Sequence, residues 1–332
     1  MDYTTLGKTG VTISRLCLGT MTFGREADEA ASAALFHAAR DAGITVFDCA
    51  NLYAEGRSER ILGRLIAEDR DDLIITSKVG MPLADDPNRR GLSRRHILEQ
   101  VERSLRRLGT DRLDVYFCHR DDPATPVAET LRAMDDLVRQ GKVRYVGVSN
   151  WSAWQTARGV GVCRGAGLAP IHVIQPMYSL AKRTAEIEIL PHARAEGLGV
   201  LTYSPLGGGV LTGKYLGPRR PEQARLAEHE MYAKRYADRT YHQIAEGLCA
   251  YAEEAGVHPA TLAVAWVMAH PAVTAPIIGA RNTEQLAPSL AAAAYDMPGQ
   301  QWAELAALTP LVPLATDRDE ERAEPEDEET RA

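Results

Sequence analysis

The sequence predicts an α/β fold in which eight parallel strands and their helices close into one single-domain (β/α)8 TIM barrel. Short β-rich runs alternate with longer helical patterns to about residue 280, and eight such runs can be counted. Strand-then-helix repeats form right-handed crossovers and a parallel sheet, and eight repeats in one chain favour closure. The alternative is an open doubly wound sheet. Its G-x-G-x-x-G fingerprint is missing from LCLGTMTFG, the segment after the first run.

The predicted strands are short and rich in apolar residues. They span 13–18, 44–47, 73–78, 113–119, 145–149, 173–176, 199–203 and 274–278. The helical patterns between them have ordinary start and stop signals. Ser93 is a good N-cap for a helix whose apolar stripe runs from Ile97 to Leu108 and which ends at Gly109. Further helices are predicted after Ser58, before Gly141, and over 241–254 and 259–269.

Two segments depart from the repeat. Residues 216–239, between the seventh and eighth strands, are predicted to form a loop rich in Arg and Tyr, and long loops of this kind are usually functional or mobile. The last sixteen residues, from Asp317, contain nine acids and three Arg and have no apolar pattern. We therefore predict a barrel domain over residues 1–312 and a solvated acidic tail over 313–332.

Composition narrows the class of partner. The formal net charge is -7, and the last sixteen residues carry -6 of it, which leaves about -1 for the rest of the chain. A nearly neutral body gives no reason to expect nucleic acid or an anionic membrane as a partner. Any basic site is therefore expected to be local.

Cysteine usage and hydropathy indicate the compartment. The five cysteines are widely spaced and include no C-x-x-C pair, so neither a disulfide framework nor a zinc knuckle is predicted. The first residues lack a basic-plus-apolar leader, and no run of eighteen apolar residues occurs. We therefore expect a cytoplasmic protein.

Polar residues stand at the carboxyl ends of the predicted strands, where barrels of this kind carry their active sites. They are Asp48, Lys78, His119, Ser149 with Asn150, Gln175, and Tyr203 with Ser204, and the eighth strand ends at Gly279 just before Arg281. A single polar residue there is often only a cap, but a whole rim of them indicates a site. By strand alternation Asp48, Lys78 and His119 share a face with apolar residues, whereas Cys49 and Cys118 fall on the opposite face and are expected to be inert.

Eight motifs carry a resemblance to the aldo-keto reductase superfamily, in its bacterial type, over residues 1 to about 310. In chain order they are LGTMTFG, FDCANLYAEGRSERILG, SKVG, VYFCHRDD, GVSNW, QPMYS, YSPLGGGVLTGKY and IIGARNTEQL. The resemblance implies an enzyme that reduces an aldehyde or ketone to an alcohol with NADPH.

The resemblance also implies a catalytic tetrad. Tyr53 would be the general acid that protonates the carbonyl oxygen. Because a free phenol has a pKa of about 10, it needs help at neutral pH, and the ammonium of Lys78 is expected to lower that pKa. Asp48 would hold the lysine, and His119 would orient and polarise the carbonyl. No metal is expected, because no second histidine lies at ligand spacing from His119.

By the same resemblance the cofactor occupies the rim. Tyr203 would stack on the nicotinamide, and the glycine-rich run 204–214 with Lys214 would bind the pyrophosphate. Arg281 favours NADPH over NADH by binding the 2'-phosphate, and Gln285 would meet the adenine. Relatives continue this last motif with Glu-Asn, whereas this chain has Pro288 and Ser289. The remaining expected contacts are Gly19, Thr20, Met21, Asp48, Ser149, Asn150, Gln175, Ser204, Pro205, Leu206, Gly208, Leu211, Gly213 and Gly279.

The substrate is expected to be a small carbonyl compound, and both a monomer and a homo-oligomer remain open. Candidate pocket residues are Met21, Phe23, Met81, Trp151 and the tyrosines of 231–241. Two rival functions remain. Lys78 at a strand end is compatible with a Schiff-base lysine of a class I aldolase. The same fold is also compatible with an NADPH-binding redox sensor or regulatory subunit that turns over slowly, as some relatives of the family act with ion channels.

Overall fold

The fold is known from a computed structural model, which describes residues 1–83, 86–217 and 224–319. Most of the predicted acidic tail, residues 320–332, lies outside the described residues, as does part of the predicted loop, residues 218–223.

Eight parallel strands form the predicted closed barrel, which confirms the fold class. Around the ring the order is β10-β3-β4-β5-β6-β7-β8-β9. The strands, including two outside the ring, are β1 (Tyr3–Thr5), β2 (Thr12–Ser14), β3 (Cys17–Gly19), β4 (Val46–Asp48), β5 (Ile74–Val79), β6 (Leu113–Cys118), β7 (Val143–Ser149), β8 (Ile171–Gln175), β9 (Gly199–Tyr203) and β10 (Ala275–Ile278).

The first predicted strand, 13–18, is wrong as a single element. Its first part is β2, which pairs antiparallel with β1 in a separate hairpin, and its second part is β3, the first strand of the ring. The break falls at Arg15, whose guanidinium donates to the carbonyl oxygens of Val273 and Met268. The hairpin contributes Leu6 and Ile13 to the cluster inside the barrel, so it closes the amino-terminal end of the ring.

Helices follow the ring strands and cover the outside of the barrel. They are α1 (Glu29–Asp41), α2 (Arg57–Leu65), α3 (Arg94–Leu108), α4 (Val127–Arg139), α5 (Ala153–Ala166), α6 (Ile189–Glu196), α7 (Arg225–Glu228), α8 (Glu230–Arg235), α9 (Arg239–Glu254), α10 (Pro259–Ala269), α11 (Thr283–Ala291) and α12 (Gly299–Ala306). Helix α3 begins and ends as predicted. The Ser93 side chain accepts from the His96 amide, and Gly109 caps the carboxyl end in the left-handed conformation.

Residues 216–239 are not the plain loop that the sequence predicts, because they contain the short helices α7 and α8. Both helices contact residues at the rim of the barrel. Glu228 of α7 forms an ion pair with Arg281, and the buried rings of Tyr232 and Tyr236 in and after α8 lie over Gly208.

Strand alternation divides the core into two layers, as the sequence predicts. Val46, Val115 and Phe117 fill the inside of the barrel, whereas Cys49 and Cys118 pack between the barrel and the helices. Burial raises the pKa of both thiols to about 12, which leaves them protonated. In the described residues no helix combines the length and the apolar character needed to cross a membrane.

A tight helix crossing gives a test of this packing. A Cβ on Gly63 in α2 would lie 2.6 Å from the Leu108 carbonyl oxygen at the end of α3. Gly63→Ala is therefore expected to destabilise the protein by about 1–3 kcal/mol, since two backbones must separate. The control, Gly161→Ala, adds a methyl group to open space on exposed α5 and is expected to be neutral or stabilising by up to about 1 kcal/mol. Urea unfolding measures both, and equal effects would contradict this account of the crossing.

Candidate active site

The four predicted catalytic side chains meet at the carboxyl-terminal end of the barrel. Asp48 ends β4, Lys78 lies near the end of β5, and His119 directly follows β6. Tyr53 begins a short 3-10 turn, Tyr53–Gly56, in the connection from β4 to α2. The register places Lys78 beside Phe117 and Asp48 beside Thr76, so the parallel alignment itself brings these strand ends together.

Lys78 is the centre of the site and is fully buried. Its ammonium donates to the Asp48 carboxylate at 2.5 Å, to the Cys49 carbonyl oxygen at 2.8 Å and to the Tyr53 hydroxyl at 3.2 Å. These bonds use all three donors of the ammonium and fix the direction of each. The geometry therefore holds a cation directly beside the phenol oxygen.

Asp48 is held in turn by two neighbours. Its other carboxylate oxygen accepts from the Thr76 hydroxyl at 2.7 Å and from the Gln175 amide nitrogen at 2.9 Å. Thr76 precedes Lys78 by one pleat, and Gln175 ends β8 on the far side of the ring. The buried ion pair is thus hydrogen-bonded on every side, which is the condition under which such a pair is tolerated in a barrel interior.

The pKa of the Tyr53 phenol differs from the expectation, whereas Lys78 is charged as expected. Burial raises the pKa of Tyr53 to about 12, and the nearby Lys78 ammonium opposes that rise without reversing it. The expected lowering of the pKa below the usual 10 is therefore not found. Burial also acts to lower the pKa of Lys78, but the Asp48 carboxylate and Tyr53 outweigh it and hold that pKa above its ordinary value. At neutral pH the pair is an ammonium beside a protonated phenol.

His119 is neutral and has hydrogen-bonding capacity to spare. Burial, with the charges of Lys78 and Arg120, lowers the pKa of His119 to about 3. Within the described residues its buried Nδ1 atom has no hydrogen-bond partner. The His119 and Tyr53 rings meet edge to face, with 6.3 Å between their centroids. Two neutral groups that can hydrogen-bond one small polar atom therefore face each other at the barrel mouth.

A second group of predicted residues forms a polar chain across β7, β8 and β9. The Ser149 hydroxyl donates to the Gln175 carbonyl oxygen, the Asn150 amide donates to the His119 carbonyl oxygen, and the Tyr203 hydroxyl donates to Asn150 at 2.6 Å. This chain aligns amide groups and one aromatic ring along a single wall of the mouth.

The backbone around the mouth is strained. Ala54 and Glu55, next to Tyr53, have φ of 46° and 59°, and Asn150 and Ser204 have φ of 58° and 60°. Each of these left-handed conformations costs a non-glycine residue on the order of 1–3 kcal/mol. Asp317 is the one other non-glycine residue with positive φ in the described ranges. Strain is therefore concentrated at this rim, as at functional sites in general.

The glycine-rich run after β9 has left-handed glycines and approaches Lys214 closely. Gly208 and Gly209 have φ of 66° and 95°, and a Cβ on Gly209 would lie 2.7 Å from the Lys214 ammonium. Burial, with the charges of Arg281 and Arg225, lowers the pKa of Lys214. Lys214 therefore lies close to two further cations, Arg225 and Arg281, and such a group of cations fits phosphate groups.

Several residues of this region could not be assigned from the sequence. Arg225 joins Lys214 and Arg281, and Glu228 forms an ion pair with Arg281 at 2.5 Å. Glu26 accepts from His229 at 2.8 Å. Ligand atoms of Glu26, Glu228 and His229 lie within 4.8 Å of one another, but arginines already balance both carboxylates. The ion pair of Glu228 with Arg281 and the contact of Glu26 with His229 each join segments more than 50 residues apart, and no local pattern marks them.

The remaining predicted contacts fall into two groups. Thr20 donates to the Asp48 carbonyl oxygen, the Met21 sulfur lies 3.9 Å from the Tyr232 hydroxyl, and Gln285 accepts from the Arg281 amide. By contrast, Leu211 is fully buried in the core, and a Cβ on Gly213 would meet the Cys249 sulfur at 2.6 Å. Phe23 and Trp151, two candidate pocket residues, are also packed in the core. These four residues, Leu211, Gly213, Phe23 and Trp151, therefore pack and position the loops of the rim.

Comparison with known proteins settles the family. The model of the aldo/keto reductase family matches residues 15–310. The chain belongs to the aldo/keto reductase family. Its similarity to the uncharacterized oxidoreductase YrpG of Bacillus subtilis is 41% identity over 86% of this chain and 89% of that protein. A probable voltage-gated potassium channel subunit beta of rice, Oryza sativa subsp. japonica, is 40% identical over 88% of this chain and 91% of that protein. The aldo-keto reductase YhdN of B. subtilis is 36% identical over 86% of this chain and 87% of that protein.

Membership of the aldo/keto reductase family supports an oxidoreductase function with a nicotinamide cofactor. The carboxyl-terminal rim of the barrel brings Asp48, Tyr53, Lys78 and His119 together.

The buried ion pair of this aldo/keto reductase can be tested through stability. Asp48→Ala leaves the Lys78 ammonium buried without its counter-ion, and we expect a loss of about 3–5 kcal/mol in the free energy of unfolding. Adding Lys78→Met to that variant is expected to restore much of the loss, because no charge then remains buried. Urea unfolding measures both.

The matched control for this ion-pair test is an exposed pair, Glu230 and Lys234, whose side chains are 80% and 78% exposed. Glu230→Ala is expected to cost less than about 0.5 kcal/mol. A loss below about 1 kcal/mol for Asp48→Ala would contradict the central role of the pair, since breaking a buried pair is otherwise strongly destabilising.

Proposed function

We propose that this aldo/keto reductase reduces an aldehyde or ketone to an alcohol with NADPH, and that Tyr53 is the general acid. The observation that carries the proposal is the hydrogen bond, 3.2 Å long, between a fully buried ammonium and the Tyr53 hydroxyl. When bound, NADPH supplies the hydride. All other tasks fall to side chains of the chain itself.

Proton donation follows from the charge states. Because its pKa is raised to about 12, Tyr53 carries its proton at neutral pH. A carbonyl oxygen hydrogen-bonded to that hydroxyl takes the proton as negative charge develops on it. The phenolate that remains is stabilised by the Lys78 ammonium, whose own position is fixed by Asp48 and the Cys49 carbonyl oxygen. The ammonium thus acts on the product of proton transfer more than on the resting phenol.

His119 takes the orienting task in this proposal. Its pKa of about 3 keeps the ring neutral through the physiological range, so it polarises the carbonyl as a hydrogen-bonding dipole and not as a cation. A neutral ring also adds no second positive charge beside Lys78, which would compete for the Asp48 carboxylate.

The hydrogen-bond donors and cations of the rim support NADPH as the cofactor. Asn150, Ser149 and Gln175 would hold the nicotinamide amide, and the ring of Tyr203 would lie against the nicotinamide. Lys214, Arg225 and Arg281 would hold the phosphates. The rival Schiff-base chemistry is disfavoured, because an aldolase lysine must be an uncharged amine and the pKa of Lys78 is held above its ordinary value.

The free cysteines support a cytoplasmic setting for this activity. All five are free thiols, and four of them are buried. We propose a small carbonyl compound as substrate. A screen of NADPH consumption over aldehydes, ketones, keto-sugars and quinones is the direct way to name it.

Tyr53→Phe tests the proton donor. The variant lacks the acid but keeps the ring, so we expect reduction to fall by about 100-fold or more, with the dissociation constant of NADPH nearly unchanged. NADPH consumption with an aromatic aldehyde and fluorescence titration of NADPH measure the two effects. The control, Tyr251→Phe, removes a hydroxyl that donates to Glu304 away from the barrel mouth and should reduce the aldehyde at the parent rate. Reduction at the parent rate by Tyr53→Phe would show that Tyr53 is not the general acid.

Arg281→Ala tests the choice of cofactor. Loss of a charge-assisted contact to the 2'-phosphate should weaken NADPH binding about tenfold or more and leave NADH binding unchanged. Glu228→Gln should act in the opposite direction, because it removes the carboxylate that now pairs with Arg281. Dissociation constants of both nucleotides measure the preference, with Arg132→Ala as a control on the exposed face of α4. An unchanged NADPH-to-NADH ratio in Arg281→Ala would show that the preference lies elsewhere.

A second candidate function rests on the relatives whose names describe probable potassium channel subunits beta. In that role the same site would bind NADPH and turn over slowly as a regulatory subunit. Single-turnover measurements separate the two functions. A hydride-transfer step that is fast relative to NADPH consumption at steady state favours the subunit, as does cofactor that stays bound through gel filtration. Rapid multiple turnover favours the reductase.

A further inference from the structure

A groove of about 700 Å³ lies on the outer surface of the barrel between α2 and α3. Arginine side chains form its walls. Small residues such as Gly63 form its floor, because α2 and the end of α3 cross closely there. The lining residues are Arg60, Gly63, Arg64, Ala67, Arg103, Arg106, Arg107 and Gly109. Guanidinium groups are planar and bind carboxylates through two parallel hydrogen bonds, so a groove walled by five of them fits an anion.

The groove has more positive charge than its own acids balance. Arg64, Arg103 and Arg107 form ion pairs with Glu29, Glu99 and Glu59. Arg60 and Arg106 are exposed, and no ion pair is found for either in the described part of the chain. One or two arginines near a helix carboxyl end are explained by the helix dipole. Five from two helices exceed that need, and they do so on a body that is nearly neutral.

The groove is separate from the catalytic site. Helices in this barrel run antiparallel to the strands, so the carboxyl ends of α2 and α3 lie toward the amino-terminal end of the barrel. Asp48, Lys78 and Tyr53 lie at the other end. A ligand in the groove therefore requires no role in the proposed carbonyl reduction.

The chain itself contains a complementary segment. Residues 317–332 include nine acids and three Arg, which gives a net charge of -6. No other stretch of the sequence has such a charge excess. Carboxylates spread along a segment suit a groove that is open and walled by arginines.

Topology indicates which copy of the segment reaches the groove. After α12 the chain is fixed beside the segment that follows β8, because Thr309 donates to the Leu180 carbonyl oxygen and Arg183 donates to that of Ala306. In the ring β8 stands opposite β4, the strand that leads into α2. The chain is therefore anchored, eight residues before the acidic segment begins, on the side of the barrel opposite the groove. A neighbouring molecule can present it to the groove more easily than the same molecule can.

We propose that the arginine groove between α2 and α3 binds the acidic carboxyl-terminal segment, residues 317–332, of a second copy of this chain. The contact is head to tail, so one molecule contributes its groove and the next contributes its segment. Because exposed ion pairs are individually weak and screened by salt, the association is weak and falls with ionic strength.

The test uses a fluorescent peptide of residues 317–332 and the full chain at low salt. Fluorescence anisotropy is expected to show saturable binding that weakens strongly at high salt. The double variant Arg60→Ala, Arg106→Ala is expected to weaken binding about fivefold or more, since it removes the two groove arginines that have no acidic partner among the described residues. The matched control is Arg132→Ala, Arg158→Ala, which removes the same charge from exposed positions of α4 and α5. A peptide with every Asp and Glu replaced by Asn and Gln is expected not to bind.

Self-association of the full chain supplies the second readout. Sedimentation velocity at low salt is expected to show concentration-dependent assembly that is lost in the Arg60→Ala, Arg106→Ala variant and in a full-length chain whose acidic segment is neutralised. No peptide binding, equal weakening by the two double variants, or a strictly monomeric chain at high concentration would each overturn the proposal. Binding of pyrophosphate, without peptide binding, would also overturn it and make the groove a phosphate site.

Discussion

The buried ion pair between Lys78 and Asp48 is the interaction on which the site depends. An ammonium with no exposed surface is stable only if its charge is matched and its three donors are used, and Asp48, the Cys49 carbonyl oxygen and Tyr53 use all three. Those requirements fix the ends of β4 and β5 relative to each other. They also fix the phenol, because its hydroxyl is the third acceptor. The position of Tyr53 is thus a consequence of satisfying a buried cation.

The barrel makes such a cluster possible because its interior is closed from below. The hairpin of β1 and β2 places Leu6 and Ile13 inside the ring, and Val46, Val115 and Phe117 fill the layers above them. Water is thereby excluded beneath the ion pair, while the carboxyl-terminal mouth stays open. Electrostatic interactions are stronger in this dry environment than in water, so the 3.2 Å contact between Lys78 and Tyr53 would act strongly on the proton transfer proposed for Tyr53.

Much of this could be predicted from the sequence, and the failures have physical causes. The eight strand-then-helix repeats predicted the barrel. Strand alternation and the row of polar strand ends predicted that Asp48, Lys78 and His119 share one face, because parallel strands must end at one rim. The prediction of one strand over 13–18 was wrong, since two short strands separated by a bend share one apolar pattern. The pKa of Tyr53 is raised where a lowering was expected, because the sequence does not show how deeply the phenol is buried. Ion pairs such as Glu228 with Arg281 join distant segments, and only folding brings them together.

Gln175 shows how the two halves of the rim are coupled. Its side-chain nitrogen donates to the Asp48 carboxylate that holds Lys78, and its carbonyl oxygen accepts from Ser149. Ser149 in turn accepts from Asn150, whose oxygen accepts from Tyr203. A continuous hydrogen-bonded chain therefore runs from the aromatic wall of the mouth to the buried cation. Any ligand that engages the Gln175 or Asn150 amide acts on the same chain that holds Tyr53 through Lys78, so the proposed cofactor binding and the proposed acid-base chemistry would share one set of hydrogen bonds.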